Sequence, residues 1–175
     1  MSEVKTQKIQ IGSKDKSSLT IDAQYNPATL EISQNVPWKK PDAANKGGGG
    51  ANQQGTPKDA NFMALEFTGA ESRSMSIELL FDAFEGGDRA PNGKSVMECV
   101  AVLEELATPV KPDSTQENER RPHHCILTWG AGIKFQCVIE NLTTKYTMFS
   151  ADGTPTRATC TVKLKEAARV DRKKK

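Results

Sequence analysis

From Arg121 to Glu166 apolar and polar side chains alternate in three runs joined by two tight turns. In the middle run Ile133, Phe135, Cys137 and Ile139 share one side, while Lys134, Gln136 and Glu140 share the other. In the last run Ala158, Cys160, Val162 and Leu164 alternate with Arg157, Thr159, Thr161, Lys163 and Lys165. A strand repeats every two residues, so this pattern predicts a sheet with one dry face and one wet face. Gly130-Ala131-Gly132 offers the positive φ that the first connection needs. Asp152-Gly153 is a hairpin signal, and Pro155 stands where that turn meets the last run. The expectation is an antiparallel meander that closes the fold.

The same alternation recurs upstream. Ile9 and Ile11, then Leu19, Ile21 and Ala23, predict two strands within Lys8–Tyr25 with a turn at Gly12-Ser13-Lys14-Asp15. Tyr25-Asn26-Pro27 breaks the second run, because the residue before proline is driven to an extended or turn conformation. Leu30 and Ile32 resume it, and Val36 closes this short segment. Between Phe62 and Asp82 two further strands are expected, one carrying Met63, Leu65 and Phe67, the other Met75, Ile77, Leu79 and Phe81. Leu80 on the polar side of the second hints that its other face is partly covered. Residues 85–93 read as a turn, and residues 111–121 as a polar loop.

The period changes only once. Val96, Cys99, Val100, Leu103, Leu106 and Ala107 form a stripe at helical spacing, Ser95 and Glu98 have capping-box spacing, and Pro109 stops the run. Strands, one helix, then strands predict a mainly β protein with one helix, an antiparallel β-sandwich or barrel rather than a parallel βαβ sheet. Residues 1–175 fit one domain.

Residues 37–61 break the pattern altogether. Lys39-Lys40-Pro41, Gly47 to Gly50 and Asn52-Gln53-Gln54-Gly55-Thr56-Pro57 cannot bury themselves, so a long flexible arm is expected. It is either a disordered insertion or an arm that orders against a neighbouring subunit. Residues 167–175 read as a basic tail, solvated or in contact with an acidic partner.

Composition narrows the classes. The hydrophobic share is 36% and the charged share 26%, ordinary for a globular chain that needs no metal or disulfide to fold. A net charge of +2 does not argue for nucleic acid. The polar stretch Met1–Lys8 carries no signal-peptide pattern, and no run approaches membrane-spanning length, so synthesis in the cytosol without direct membrane insertion is expected. Cysteines 99, 125, 137 and 160 are widely spaced and read as buried free thiols.

Candidate chemistry is sparse. His123-His124-Cys125 is the one group of metal-ligand types, but adjacent strand residues point to opposite faces, and the chain has no further histidine to complete a tetrahedron. A nucleophilic thiol needs an exposed, electropositive setting, whereas Cys137 and Cys160 stand in apolar alternation. Phosphate-loop, Gly-x-Ser-x-Gly and His-Glu-x-x-His patterns are lacking. No catalytic residue, metal or cofactor is therefore expected, and a structural or binding role is favoured over an enzyme.

Several segments together resemble a known family. They are Leu19 to Leu30 with its Asn-Pro-x-x-Leu turn, Leu65 to Ala70, and Ser76 to Asp82. Pro122, Trp129-Gly130, Phe135, Val138 to Glu140, Tyr146 to Phe149, Asp152 to Ala158 and Leu164 to Glu166 continue it. The chain resembles the tube-like domain of contractile injection systems, found in tube and tube–baseplate adaptor proteins of phage-tail-like particles. That resemblance implies a tail-tube fold assembled as a hexameric ring around a lumen, stacking on tube rings and meeting baseplate and spike-hub proteins. It also implies cytoplasmic assembly into a particle that is released or docked at a membrane. Larger members continue into a LysM module; this sequence ends at Lys175, so the tube-like domain is expected without it.

The function expected is thus a structural ring of the inner tube or the tube–baseplate junction. The alternatives are a monomeric binding or effector-adaptor module and a cysteine or metal hydrolase. Candidate subunit contacts are Trp38, Lys39, Lys40, Gly47, Gly48, Gln53, Gln54, Met148 and Phe149. Lys134, Gln136, Lys163 and Lys165 suit a wet lumen or outer surface.

Overall fold

The computed structural model describes residues 6–40, 65–83 and 93–167. In chain order the strands are β1 (Ile9–Ser13), β2 (Thr20–Asp22), β3 (Glu31–Ser33), β4 (Trp38–Lys39), β5 (Glu66–Phe67), β6 (Ser74–Asp82), β7 (Cys125–Trp129), β8 (Ile133–Phe149) and β9 (Pro155–Glu166). The helix α1 (Val96–Ala107) lies between β6 and β7. Two compact units are distinguished: Met1–Ser33 with Arg73–Lys175, and Gln34–Ser72.

The larger unit is built on one antiparallel sheet of seven strands in the order β2-β1-β7-β8-β9-β6-β3. The alternation that predicted the meander is the alternation that buries it. Ala158, Cys160, Val162 and Leu164 are fully buried, as are Leu127, Cys125 and Cys137 on the strands beyond. Gly130 and Gly153 take φ values of 54° and 86°, which the two tight connections demand and a Cβ would oppose. β8 runs further than the sequence pattern suggested. A bulge between Ile139 and Asn141 uses Glu140 as the extra residue, so Leu142 and Thr144 continue the core side without breaking the ladder.

The helix forms where expected, and its capping box is complete. Glu98 N donates to Ser95 Oγ at 3.1 Å, and Ser95 N donates to Glu98 Oε2 at 2.6 Å. Val96, Cys99, Val100, Leu103 and Leu106 are buried, packing the helix against β8, β9, β2 and β6.

Contact of one helix with both β2 and β6 shows that the sheet curls over, giving a sandwich-like rather than flat layer. The barrel alternative is corrected: among the described residues β2 and β3 remain the sheet's two ends. Side-chain amides work along the gap. Gln24 Oε1 accepts from Asp82 N and Gln24 Nε2 donates to Asp82 O, both at 2.7 Å, imitating a strand pair. Asn26 acts likewise on the start of β1, accepting from Ile9 N at 3.0 Å and donating to Gln7 O at 2.8 Å. That is the physical content of the Tyr-Asn-Pro break: the chain leaves the ladder and its side chains continue the hydrogen bonding.

Three local expectations are revised. Gly12 lies inside β1, not in the turn. A Cβ there would sit 2.9 Å from Thr20 Oγ1 on β2, so glycine serves the close strand approach, and the turn comes after Ser13. Ile32 pairs opposite Met75 but is 46% exposed, because β3 is a short edge strand. The strand expected to bury Met63, Leu65 and Phe67 is reduced to β5, with Leu65 and Phe67 more than half exposed and residues 62–64 outside the described residues. Alternation identified a strand-forming segment there but not its burial.

In the smaller unit β4 and β5 form a two-stranded ribbon, with Trp38 opposite Phe67 and Lys39 opposite Glu66. The Trp38 and Phe67 rings are 5.4 Å apart and tilted. Thr68 N, Thr68 Oγ1 and Glu71 N donate to the carbonyls of Pro37 and Asn35, extending the pairing. The arm thus begins as paired strand at Trp38, whose ring packs at a tilt against that of Phe67. Residues 41–61 of the expected arm, 85–92 of the expected turn and 168–175 of the expected tail lie outside the described residues.

Leu103 is fully buried and Met97 is 51% exposed on the same helix. Leu103→Ala is expected to cost about 2–5 kcal/mol, against within about 0.5 kcal/mol for Met97→Ala. Urea unfolding of the two variants checks this; equal midpoints would remove the packing assignment.

Candidate assembly surfaces and the question of a catalytic centre

The metal-ligand types of the sequence are committed to structure. Ser13 Oγ accepts the N–H groups of Asp15 and Lys16, each at 3.0 Å. Its own hydrogen is left for His123 Nδ1 at 2.7 Å, which makes the imidazole an acceptor at that nitrogen. A Ser–His contact is the starting point of nucleophilic catalysis. Here both residues are buried and both hydroxyl lone pairs are occupied, so the contact fixes the β1–β2 turn to the segment entering β7. Sequence reading missed this pair, since Ser13 and His123 are far apart in the chain and no local signal links them. Cys125 Sγ points to His123 O at 3.4 Å, and among the described residues no three His, Cys, Asp or Glu side chains cluster as metal ligands.

A second clamp flanks the first. The Asp15 carboxylate receives both terminal nitrogens of Arg121, at 2.9 and 3.0 Å, and His124 N at 2.8 Å. These bonds, led by the Arg121 guanidinium, hold its carboxyl well below the usual carboxylate range. Lys16 reaches Glu105 of α1 at 2.7 Å, a solvent-exposed pair of small energetic weight.

All four cysteines are free and buried. Burial pushes the Cys125 and Cys137 thiols up to about 12, and it raises Cys99 and Cys160 as well. Cys125 lies opposite Cys137 across β7 and β8, whereas Cys160 lies opposite Thr144. These are core thiols, not thiolate nucleophiles.

The candidate contact residues separate into two places. Trp38 is 57% exposed on the β4–β5 ribbon, with Lys39 and Lys40 exposed beside it. Phe149 is 58% exposed at the distal end of the β8–β9 hairpin, and Met148 is half-buried. Its tip is stiff: Asp152 accepts from Ser150 Oγ, Thr154 N and Thr154 Oγ1, which lowers its carboxyl to about 2. Gly47, Gly48, Gln53 and Gln54 lie outside the described residues. Lys134, Gln136, Lys163 and Lys165 are all exposed on the wet face of the sheet, where Lys165 pairs with Glu140 at 3.6 Å.

A curled antiparallel sheet with one α-helix among the described residues, core thiols, polar groups that fasten turns, and exposed aromatic side chains on a ribbon and on a hairpin describes a scaffold with candidate contact surfaces. Over residues 3–175 the sequence matches the family described as contractile injection system tube protein. The chain belongs to that family. No curated protein matches the sequence. No helix among the described residues is long and apolar enough to cross a membrane.

Two measurements test the buried groups. Because the folded Asp15 pKa is depressed, its contribution is full above the ordinary carboxylate pKa and is lost as pH falls below about 4. Asp15→Asn is expected to be less stable than the parent at neutral pH and to converge with it in acid; a constant offset down to acid pH would refute the clamp. Native thiols are expected to resist alkylation at pH 8, with all four labelled after denaturation. Rapid native labelling, a Cys137–Cys160 bond or stoichiometric zinc would contradict the core assignment.

Proposed function

We propose that the chain is a structural, non-enzymatic ring component of the inner tube or of the tube–baseplate junction of a contractile injection system. The family match over nearly the whole sequence carries this reading. Aromatic side chains held outward on the ribbon and the hairpin support it, since such residues are enriched where protein surfaces meet. Six copies form the ring in this reading, which stacks on tube rings and meets baseplate and spike-hub proteins of the same particle. Assembly takes place in the cytoplasm. Residues 37–61 reach a neighbouring subunit, with Trp38, Lys39, Lys40, Gly47, Gly48, Gln53 and Gln54 as contacts, and Met148 and Phe149 provide a second contact.

The purified chain is expected to elute as a ring of six times its 19.1 kDa mass, or as stacks that electron microscopy resolves as discs with a central hole. Replacing residues 42–57 by a short Gly-Ser linker is expected to leave the chain folded and weaken assembly. A stable monomer under all assembly conditions would favour the adaptor-module reading, and a shortened arm that assembles as well as the parent would remove the arm contact.

A further inference from the structure

β6 is only partly covered on the side away from β9. β3 pairs with Ser74, Met75 and Ser76, and the Gln24 amide takes both backbone groups of Asp82. In an antiparallel strand the N–H and C=O of one residue point to the same side, and the side alternates along the chain. Asp82 bonds toward Gln24, while Arg73 O and Ala83 N bond toward β9 residues. The backbone groups of Glu78 and Leu80 therefore point outward, between the two covered ends, and no hydrogen bond reaches them among the described residues. A trough of about 320 Å³ opens beside Glu78, lined also by Pro27, Thr29 and Glu31.

β4 carries the matching half. Pro37 O and Asn35 O accept from Thr68 N and Glu71 N, so the odd-numbered residues of this strand face β5. The backbone groups of Trp38 and Lys40 face the opposite edge of the ribbon, and no hydrogen bond reaches them among the described residues. Antiparallel docking of this edge on β6 would place Trp38 opposite Leu80 and Lys40 opposite Glu78. That register sets an exposed indole against a half-buried leucine, an apolar contact, and a cation against an exposed carboxylate, an opposite-charge pair of the kind that stabilises sheets. A one-residue slip would lose both pairs and aim the backbone groups past each other.

We propose that the open edge of β6 at Glu78 and Leu80 is a strand-addition site for the β4 segment, Trp38 to Lys40, of a second copy of this chain. The proposal rests on the assembly reading above and names the surface that receives the ribbon. Each copy would offer both a ribbon and a slot, so the contact is head-to-tail and closes into a ring when the rotation permits.

Charge reversal tests it. Glu78→Lys and Lys40→Glu are each expected to weaken assembly, and an equimolar mixture of the two variants to restore it. In the mixture every contact again joins unlike charges. Undiminished assembly of the single variants would overturn the site. Recovery in the double variant but not in the mixture would place the contact within one chain and overturn the second copy as occupant. Hydrogen exchange gives a readout that does not need rings. A synthetic peptide of residues 34–40 in excess is expected to slow the Glu78 and Leu80 amides about tenfold, as one net backbone hydrogen bond would. Unchanged exchange at both amides overturns the edge contact even if rings form. Protection in a chain that never forms rings retains the contact and overturns the tube reading instead.

Discussion

A β-sheet that curls without closing must still find partners for its backbone, and the structure turns on how this chain does so. An unpaired amide in a dry seam costs about as much as several favourable contacts supply. Gln24 and Asn26 solve the problem with side-chain amides, each offering one donor and one acceptor in the geometry of a peptide group. Gln24 joins the β2 flank to β6 and Asn26 fastens the start of β1, while the chain breaks out of the ladder at Pro27. The core can then be shared by β1, β2, β6, β7, β8, β9 and α1 as one continuous cluster.

The buried polar groups belong to the same economy of hydrogen bonds. Ser13 and Asp15 sit two residues apart after β1 and serve different neighbours. The hydroxyl fixes the turn and His123; the carboxylate fixes Arg121 and the backbone of His124. Ser13, Asp15 and His123 Nδ1, groups that a motif search would inspect for catalysis, are thus engaged by structural partners. On the opposite flank Arg157 donates to Asp82, the residue whose backbone Gln24 holds, so one aspartate joins β6, β9 and the segment after β2. The most exposed large apolar side chains among the described residues, Trp38 and Phe149, lie instead on the β4–β5 ribbon and the β8–β9 hairpin. That division suits a subunit whose work is to hold its own shape while presenting apolar groups to another surface.

Much of this was legible in the sequence. Period-two alternation determined the dry face of β6, of β9 and of β8 as far as Ile139, because a regular strand has no other way to sort its side chains; the bulge at Glu140 shifts the pattern beyond. The capping box and the 3.6-residue stripe determined α1, and the glycines of the two hairpins determined where the meander turns. Those signals are local, and each is decided within one or two turns of chain. The candidate subunit contacts were legible only as aromatic, glycine-rich and polar segments, without their surroundings.

The tertiary structure decided the rest. Alternation at Leu65 and Phe67 matched that of Met75 and Ile77, yet one segment stands outward on a ribbon while the other lies in the core. Burial depends on what covers a strand, and the strand itself does not record it. Gly12 resembled a turn residue because glycine permits both a turn and a close approach; only Thr20 across the ladder distinguishes them. The Ser13–His123 bond and the Gln24–Asp82 bridge join residues 110 and 58 positions apart, separations at which a single sequence carries no pairing signal. Sequence determined which residues prefer the interior and where the chain turns. Which edges meet, and that the backbone groups of Glu78 and Leu80 find no partner among the described residues, was decided by the curl of the sheet.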